Sequence, residues 1–318
     1  MIFERGLDDL TCRPASVLTV GIFDGVHLGH RMIIADLVER AKDTGGLSTL
    51  ITFDPHPREV LLQQTLPKLT TIEERAAILS SLGLARMVVL PFTEKFSTLE
   101  AEDFVLELLV KRTGLQTIIV GHDHRFGKGR RGDVDLLASL GQQHNFDVEV
   151  IRPYKIHDLV ISSRKVRSIL QEAGDVSLAA KLMARPHCLT GRVVRGDGRG
   201  RELGYPTANL ILREPQKVVP SHGIYVVNVE VSGAWLGGMM SIGTRPAIKD
   251  SRGVHLEVHL LDFDRPIYGE EITVHFLERI RAESNFASME KLQAAMQQDE
   301  VISRKVLEQS EWHRVPLG

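Results

Sequence analysis

Apolar runs and amphipathic stretches alternate through the first half of the chain. Ser16–Phe23 (SVLTVGIF) has the continuous apolar character of a buried strand. Arg31–Thr44 follows with helical spacing, Ile33, Ile34, Leu37 and Val38 sharing one side. Leu47–Phe53 reads as a second strand and Ile72–Leu82 as a second helix. Arg86–Leu90, Ala101–Lys111, Gln116–Val120, Asp133–Gly141 and Asp147–Ile151 continue the alternation. Such repetition predicts an α/β unit, a mostly parallel sheet with helices on both faces. Ligands of such sheets bind beyond the carboxyl ends of the strands, and every unusual loop here follows a predicted strand.

Around Ala184–His187 the grammar changes. From Thr190 onward come short alternating segments, at Gly191–Arg195, Gly223–Val231, Trp235–Ile242, Leu256–Phe263 and Glu271–Phe276, punctuated by Gly, Pro and Asp. One further helix is predicted from about Met289 to Glu308. The pattern predicts an antiparallel β-barrel closed by a C-terminal helix. Two domains are therefore expected, 1–184 and 185–318, with no internal repeat and no low-complexity linker.

Composition narrows the partners. The 318 residues carry 39 Lys and Arg against 41 Asp and Glu, a formal net charge of −2. A polybasic nucleic-acid binder is excluded, and any anionic substrate must be held by local groups. Cys12 and Cys188 stand far apart and read as reduced thiols. No apolar run approaches the roughly 18 residues of a membrane span. The N-terminus, with Glu4, Asp8 and Asp9, lacks the order of a signal peptide. A cytoplasmic protein without membrane or nucleic-acid partners is expected.

The candidate chemistry begins at Gly21-Ile-Phe-Asp-Gly-Val-His27-Leu-Gly-His30, which leaves a strand and enters a helix. Glycines 21, 25 and 29 permit close backbone approach. His27 and His30, three apart at a helix start, share a face where free N–H groups and the dipole attract phosphate. A zinc reading competes, because His27, His30, His56, His122 and His124 all follow predicted strands, but no second pair with ligand spacing exists. Thr52-Phe-Asp-Pro-His-Pro57 is either a rigid turn or part of a site. Val120–Gly132, with Arg125, Lys128, Arg130 and Arg131, suits a mobile loop over an anion or a solvated basic turn. Ile161-Ser-Ser-Arg-Lys-Val-Arg167 starts a helix, where Ser162 or Ser163 is either a plain cap or part of a site, and where Arg167 and Arg164 could reach the same phosphates.

G-x-F-D-G-x-H-x-G-H, F-D-P-H-P, V-G-x-D-x-x-F-G and I-S-S-x-x-x-R occur together and in order. Together they resemble the adenylyltransferase half of bacterial bifunctional riboflavin kinase/FMN adenylyltransferases. The resemblance implies a Rossmann-like nucleotidylyltransferase domain that joins FMN to the α-phosphoryl group of ATP, giving FAD and pyrophosphate. It assigns charge stabilisation to His27 and His30. ATP binding falls to Gly21, Phe23, Asp24, Gly25, Gly29, Gly121, Asp123, Ser163, Arg164 and Arg167. Flavin binding falls to Asp54, Pro55, Pro57, Arg125 and Phe126. Two residues depart from the family: His124 stands where an aromatic is usual, and Arg164 where threonine is. The alternative implied by Arg164 is a first domain that binds nucleotide and flavin without transfer.

The second half opens with Gly191-Arg-Val-Val-Arg-Gly-Asp-Gly-Arg-Gly-Arg-Glu-Leu-Gly-Tyr-Pro-Thr-Ala-Asn209. Glycines 196, 198, 200 and 204 allow amides to wrap a phosphate, and a plain glycine-rich hairpin is the other reading. Thr207 and Asn209 alternate onto one side of an extended segment and offer two hard neutral oxygens that suit Mg²⁺. Glu257 and His259 face the same way on a strand, so Glu257 is either solvent-facing or a general base. G-R-x-L-G-Y-P-T-A-N, S-I-G-T-R-P, L-E-V-H-L-L-D-F-D, Tyr268-Gly269 and I-R-A-E-x-x-F are similar to the riboflavin kinase domain of the same family. Gly196, Gly200, Arg201, Gly204, Pro206, Thr207 and Asn209 would then hold Mg-ATP, and Glu257 would activate the riboflavin 5′-hydroxyl. Arg281, Glu283 and Phe286 would lie toward the flavin. Ala247 and Pro266-Ile267 are mild departures. The implied ligands are ATP, riboflavin, FMN, FAD and Mg²⁺, and the implied state is a monomer or weak homo-oligomer.

Overall fold

The computed structural model describes residues 1–151, 155–156, 159–196, 200, 203–244 and 253–312. Contacts group them into two compact units, Met1–Ser163 and the residues from Arg164 on. In the first unit six strands form one parallel sheet: β1 (Ile2–Arg5), β2 (Ser16–Val20), β3 (Leu47–Phe53), β4 (Arg86–Leu90), β5 (Leu115–Gly121) and β6 (Asp147–Ile151), in the order β1-β4-β3-β2-β5-β6. Helices α1 (Leu28–Thr44), α2 (Pro57–Leu62) and α3 (Ile72–Ser81) are the ones that shape the site.

Every residue of β2 is buried, the expected state of a central parallel strand. Its side chains alternate between two cores. Leu18 and Val20 pack with Val88, Phe104 and Leu109, whereas Val17 packs with Ile34, Leu37 and Met87. The expected helix at Ala101–Lys111 is a helical stretch through 113 whose middle, Phe104–Val110, takes π-helical form. Sequence patterning missed β1, because its inward residue is the charged Glu4. Glu4 Oε2 accepts from Arg86 Nε at 3.1 Å and Nη2 at 2.6 Å, and Arg86 is completely buried.

The second unit is a closed barrel of β9 (Cys188–Val194), β10 (Thr207–Leu212), β11 (Gly223–Val231), β12 (Ala234–Thr244), β13 (Val254–Leu260) and β14 (Glu271–Arg281), ordered β10-β13-β12-β11-β14-β9 and antiparallel throughout. The numbers β7 and β8 go to the two-residue strands Lys155–Ile156 and Leu159–Val160. Helix Met289–Gln309 lies against the barrel, close enough that a Cβ on Gly237 would stand 2.5 Å from Leu307. Helix Val176–Met183 also belongs to this unit, its Ser177 hydroxyl donating to the Leu277 carbonyl of β14.

Replacing Glu4 by Ala leaves the Arg86 charge buried with, among the described residues, the Thr11 carbonyl as its remaining hydrogen-bond acceptor. We expect this to destabilise the first unit by about 3–5 kcal/mol, read as a lowered denaturation midpoint of its transition.

Candidate functional site

The first unit's site forms where the sheet order reverses. β2 is followed on one side by β3 and on the other by β5, so the loops after β2 and β5 flank the crevice at that switch point. The loop after β2 turns through positive φ at Phe23 (54°), Gly25 (80°) and Val26 (40°). Gly25 is required twice over, since a Cβ there would also stand 2.7 Å from Leu69 Cδ1. Asp24 points inward rather than toward solvent. Its oxygens accept from the Leu69 amide (3.0 Å), the Thr70 amide (2.9 Å) and the Thr70 hydroxyl (2.9 Å), and that hydroxyl accepts from the Gly25 amide at 2.9 Å.

The loop delivers His27 as the N-cap of α1, its Nδ1 accepting from the His30 amide at 3.4 Å. The neutral His27 ring therefore carries its proton on Nε2. His27 and His30 stack with centroids 3.6 Å apart, and Phe23 stacks on His30 at 4.5 Å. Burial lowers the His27 pKa to about 4, against the opposing pull of Asp24. His30 is depressed by burial first and by the neighbouring His27 second. At neutral pH the free protein thus holds two uncharged imidazoles at a helix N-terminus. The buried His30 Nδ1 has no hydrogen-bond partner among the described residues. Ser163, at the start of helix Ser163–Ser168, donates its hydroxyl to the Asp24 carbonyl at 2.8 Å. Arg164 follows it exposed, and Arg167 is half-buried on the same helix.

Between the β2, β3 and β5 loops opens a cavity of about 610 Å³. Gly21, Pro57, Asp123, His124, Arg125 and Phe126 line it, all from the expected set or its departures. Sequence reading missed most of its apolar wall. Phe53, Phe92, Phe96 and Phe104 pack in sequence with centroids 5.6–6.2 Å apart, and the exposed Leu61 and Leu62 of α2 close the rim. The recurrent Phe residues at 92, 96 and 104 were the available signal. His124 stacks on Phe126 at 5.7 Å, and burial lowers its pKa to about 4. Asp54 lies at the end of β3 and accepts from Arg5 at 2.8 Å, with Pro55 next to it.

The basic loop after β5 is tied down rather than free. Phe126 and Gly132 exchange backbone hydrogen bonds, Arg125 pairs with Asp133 at 2.7 Å and Lys128 with Glu100 at 2.8 Å. Two of its four cations are thus engaged by carboxylates.

In the barrel, register decides the site. Asn209 of β10 stands directly opposite Glu257 of β13, and Thr207 opposite His259. The Thr207 hydroxyl donates to Glu257 Oε2 at 3.3 Å, while His255 Nε2 lies 2.5 Å from Oε1. His255 escaped the sequence reading, although it sits two residues before Glu257 and so on the same face. His259 Nδ1 contacts the Pro206 carbonyl at 2.8 Å. Asn209 is buried, and its Oδ1 has no hydrogen-bond partner among the described residues. A Cβ on Gly196 would fall 2.0 Å from Asn209 Nδ2, and one on Gly200 2.3 Å from the Tyr205 carbonyl, so these two glycines lie close against residues 205–209. Gly204 turns at φ 83°. A second cavity of about 290 Å³ adjoins Pro206 and Thr207 and reaches Tyr268. Arg281 is engaged by the buried Asp299 (2.7–3.2 Å) and covers Phe286 at 5.4 Å, and Glu283 lies against Gly243. Gly198, Arg201 and Ala247 lie outside the described residues.

Among the described residues no group of three or more His, Cys, Asp or Glu side chains is placed to hold a metal ion. None of their helices is long and apolar enough to cross a membrane.

Residues 10–165 match the FAD synthetase family model and residues 183–307 the riboflavin kinase model. A bifunctional riboflavin kinase/FMN adenylyltransferase from Pseudomonas fluorescens is 39% identical over 307 residues, covering 96% of this chain and 97% of its own. The protein of that description from Escherichia coli K12 is 37% identical over 305 residues, 95% and 96% of the two chains. A solved structure from Streptococcus pneumoniae, described as a macrolide-efflux protein, has a TM-score of 0.86 at 29% identity, covering 96% of this chain and 99% of that one.

The neutral histidines carry a pH signature. His27, His124 and His275 fall to about 4 in the folded state, each first by burial, from an ordinary 6.5. The unfolded chain then binds more protons between these limits, so stability is full above about pH 6.5 and declines as pH falls toward 4. Denaturant titrations at falling pH should show this loss, and His124→Phe should lessen it in the first unit, where His27 and His30 still contribute.

Proposed function

The chain belongs to the bifunctional riboflavin kinase/FMN adenylyltransferase family, and we propose how its residues divide the two reactions. The boundary between activities lies at 184/185, with adenylyl transfer before it and phosphorylation after it. The observation that carries the assignment is the pairing of two separate constellations: stacked neutral imidazoles at a helix N-terminus, and Thr207, Asn209 and Glu257 in barrel register.

In the kinase reaction Glu257 takes the proton of the riboflavin 5′-hydroxyl as its oxygen attacks the γ-phosphorus of ATP and ADP departs. His255 and Thr207 hold the carboxylate from its two sides. The donor set fits Mg²⁺: Asn209 offers a buried oxygen with no other hydrogen-bond partner among the described residues, and Thr207 gives its proton to Glu257 and keeps lone pairs. When bound, the ion neutralises charge on the transferring phosphates. Gly196, Gly200, Arg201, Gly204 and Pro206 bring the loop onto ATP. Arg281 positions the 283–286 segment beside the flavin, its own charge neutralised by Asp299.

In the adenylyl-transfer reaction an FMN phosphate oxygen attacks the α-phosphorus of ATP and pyrophosphate leaves. No covalent enzyme intermediate is needed, so the work is positioning and charge stabilisation. The N–H groups of His27 and His30 meet the phosphoryl oxygens in a water-poor niche. Gly21, Gly29, Gly121, Asp123, Ser163 and Arg167 hold ATP, and Asp24 acts from beneath the loop. The phenylalanine-walled cavity receives the flavin ring, with Pro57, Arg125 and Phe126 in its lining and Asp54 and Pro55 next to its Phe53 and His56 in sequence. Arg164, being solvent-exposed, leaves transfer intact. Two cysteines far apart in sequence, Cys12 exposed and Cys188 buried, suit the cytoplasm.

The deciding experiment supplies riboflavin and Mg-ATP and identifies products; FMN followed by FAD is expected, and FMN alone would refute transfer. Glu257→Gln should lower phosphorylation about 10²–10⁴-fold and leave FAD formation from supplied FMN nearly unchanged. The double change His27→Ala, His30→Ala should do the reverse. Equal loss of both activities in either variant would count against two independent sites.

A further inference from the structure

We propose that Arg75, on α3, is a positioning residue for adenylyl transfer: through Asp24 and Thr70 it keeps loop 21–27 in the shape that stacks His27 on His30. The inference rests on the reading that this histidine pair serves adenylyl transfer.

Arg75 is a buried cation that does not itself line the cavity. Its guanidinium reaches four oxygens instead: Thr70 Oγ1 from Nε (3.4 Å), Thr52 Oγ1 from Nη1 (3.4 Å), and Asp24 Oδ1 (3.5 Å) and the Thr70 carbonyl (3.4 Å) from Nη2. Thr52 in turn donates to the Ile22 carbonyl at 3.2 Å. One side chain thus ties the end of β3, the segment 69–70 and both halves of the turn before His27. Each bond is long, but the Arg75–Asp24 attraction acts where water is excluded, so it is only weakly screened. Its base is rigid, because α3 begins with a capping box between Thr71 and Glu74 and the Arg75 amide donates to the Thr71 carbonyl.

The loop needs such a hold. Phe23 and Val26 lie in the left-handed region without being glycine, and a β-branched residue there is strained. Strain of this kind persists only where surrounding contacts over-determine the backbone. The Asp24 carboxylate and the Gly25 amide link the loop to 69–70, and Arg75 supplies the charge that offsets burying the carboxylate. The guanidinium also lies near enough to His30 to oppose its protonation.

The test uses the full chain and measures FAD formation from FMN and Mg-ATP, with riboflavin phosphorylation as the internal reference. Arg75→Met should lower the kcat of adenylyl transfer about 100-fold, leave both KM values within about threefold and leave the kinase unchanged. Arg75→Lys, whose ammonium can reach fewer of the four oxygens, should recover part of the loss. Thr70→Val keeps shape but removes the hydroxyl shared by Asp24, Gly25 and Arg75. It should lower kcat about tenfold and decides the matter if Arg75→Met does not fold. Folded variants with wild-type kcat, or a loss confined to KM, would overturn the role. Absence of FAD from the wild-type chain would instead overturn the reading on which it rests, and the proposal with it.

Discussion

The carboxylate of Asp24 accepts from two backbone amides, a threonine hydroxyl and a buried guanidinium, and the loop carrying His27 cannot leave its left-handed turns without breaking them. That anchoring sets where α1 begins, and hence which amides and imidazoles face the crevice. The stacking of the two rings and their loss of positive charge accompany the burial of this loop. A carboxylate in a glycine-rich motif thus organises the backbone of the loop that carries it.

The barrel reaches a comparable end by different means. There the antiparallel register itself sets Asn209 against Glu257. Closeness of the loop comes from small residues, with no room for a Cβ at Gly196 or Gly200. The result is a carboxylate, Glu257, with two hydrogen-bonding neighbours, beside a buried amide oxygen that lacks a partner among the described residues. Part of the charge that lines the first unit's cavity is engaged in internal ion pairs. The loop after β5 illustrates the restraint, committing Arg125 and Lys128 to Asp133 and Glu100.

Much of this was legible beforehand. The alternation of apolar runs with amphipathic stretches predicted the parallel sheet, and Leu47–Phe53, Arg86–Leu90, Asp147–Ile151 and Gly223–Val231 match the observed strands end to end. The motif residues were visible because glycines, histidines and prolines in fixed order have few other uses. β1 was hidden because Glu4 occupies the inward position that patterning reserves for an apolar residue. Arg75 was hidden because it looks like any charged residue in a helix rich in Glu and Ala.

The order of residues by itself determined which segments become strands and helices, since period and apolarity are local properties of the chain. It also marked the loops where chemistry gathers. Only the tertiary structure decided what each polar group meets. Burial and partnership depend on segments distant in sequence: Arg86 finds Glu4 across 82 positions, Arg75 finds Asp24 across 51, and Thr207 finds Glu257 across 50. A carboxylate, an arginine or a phenylalanine takes its role from the dielectric and the neighbours that folding supplies, and neither is written in its local sequence.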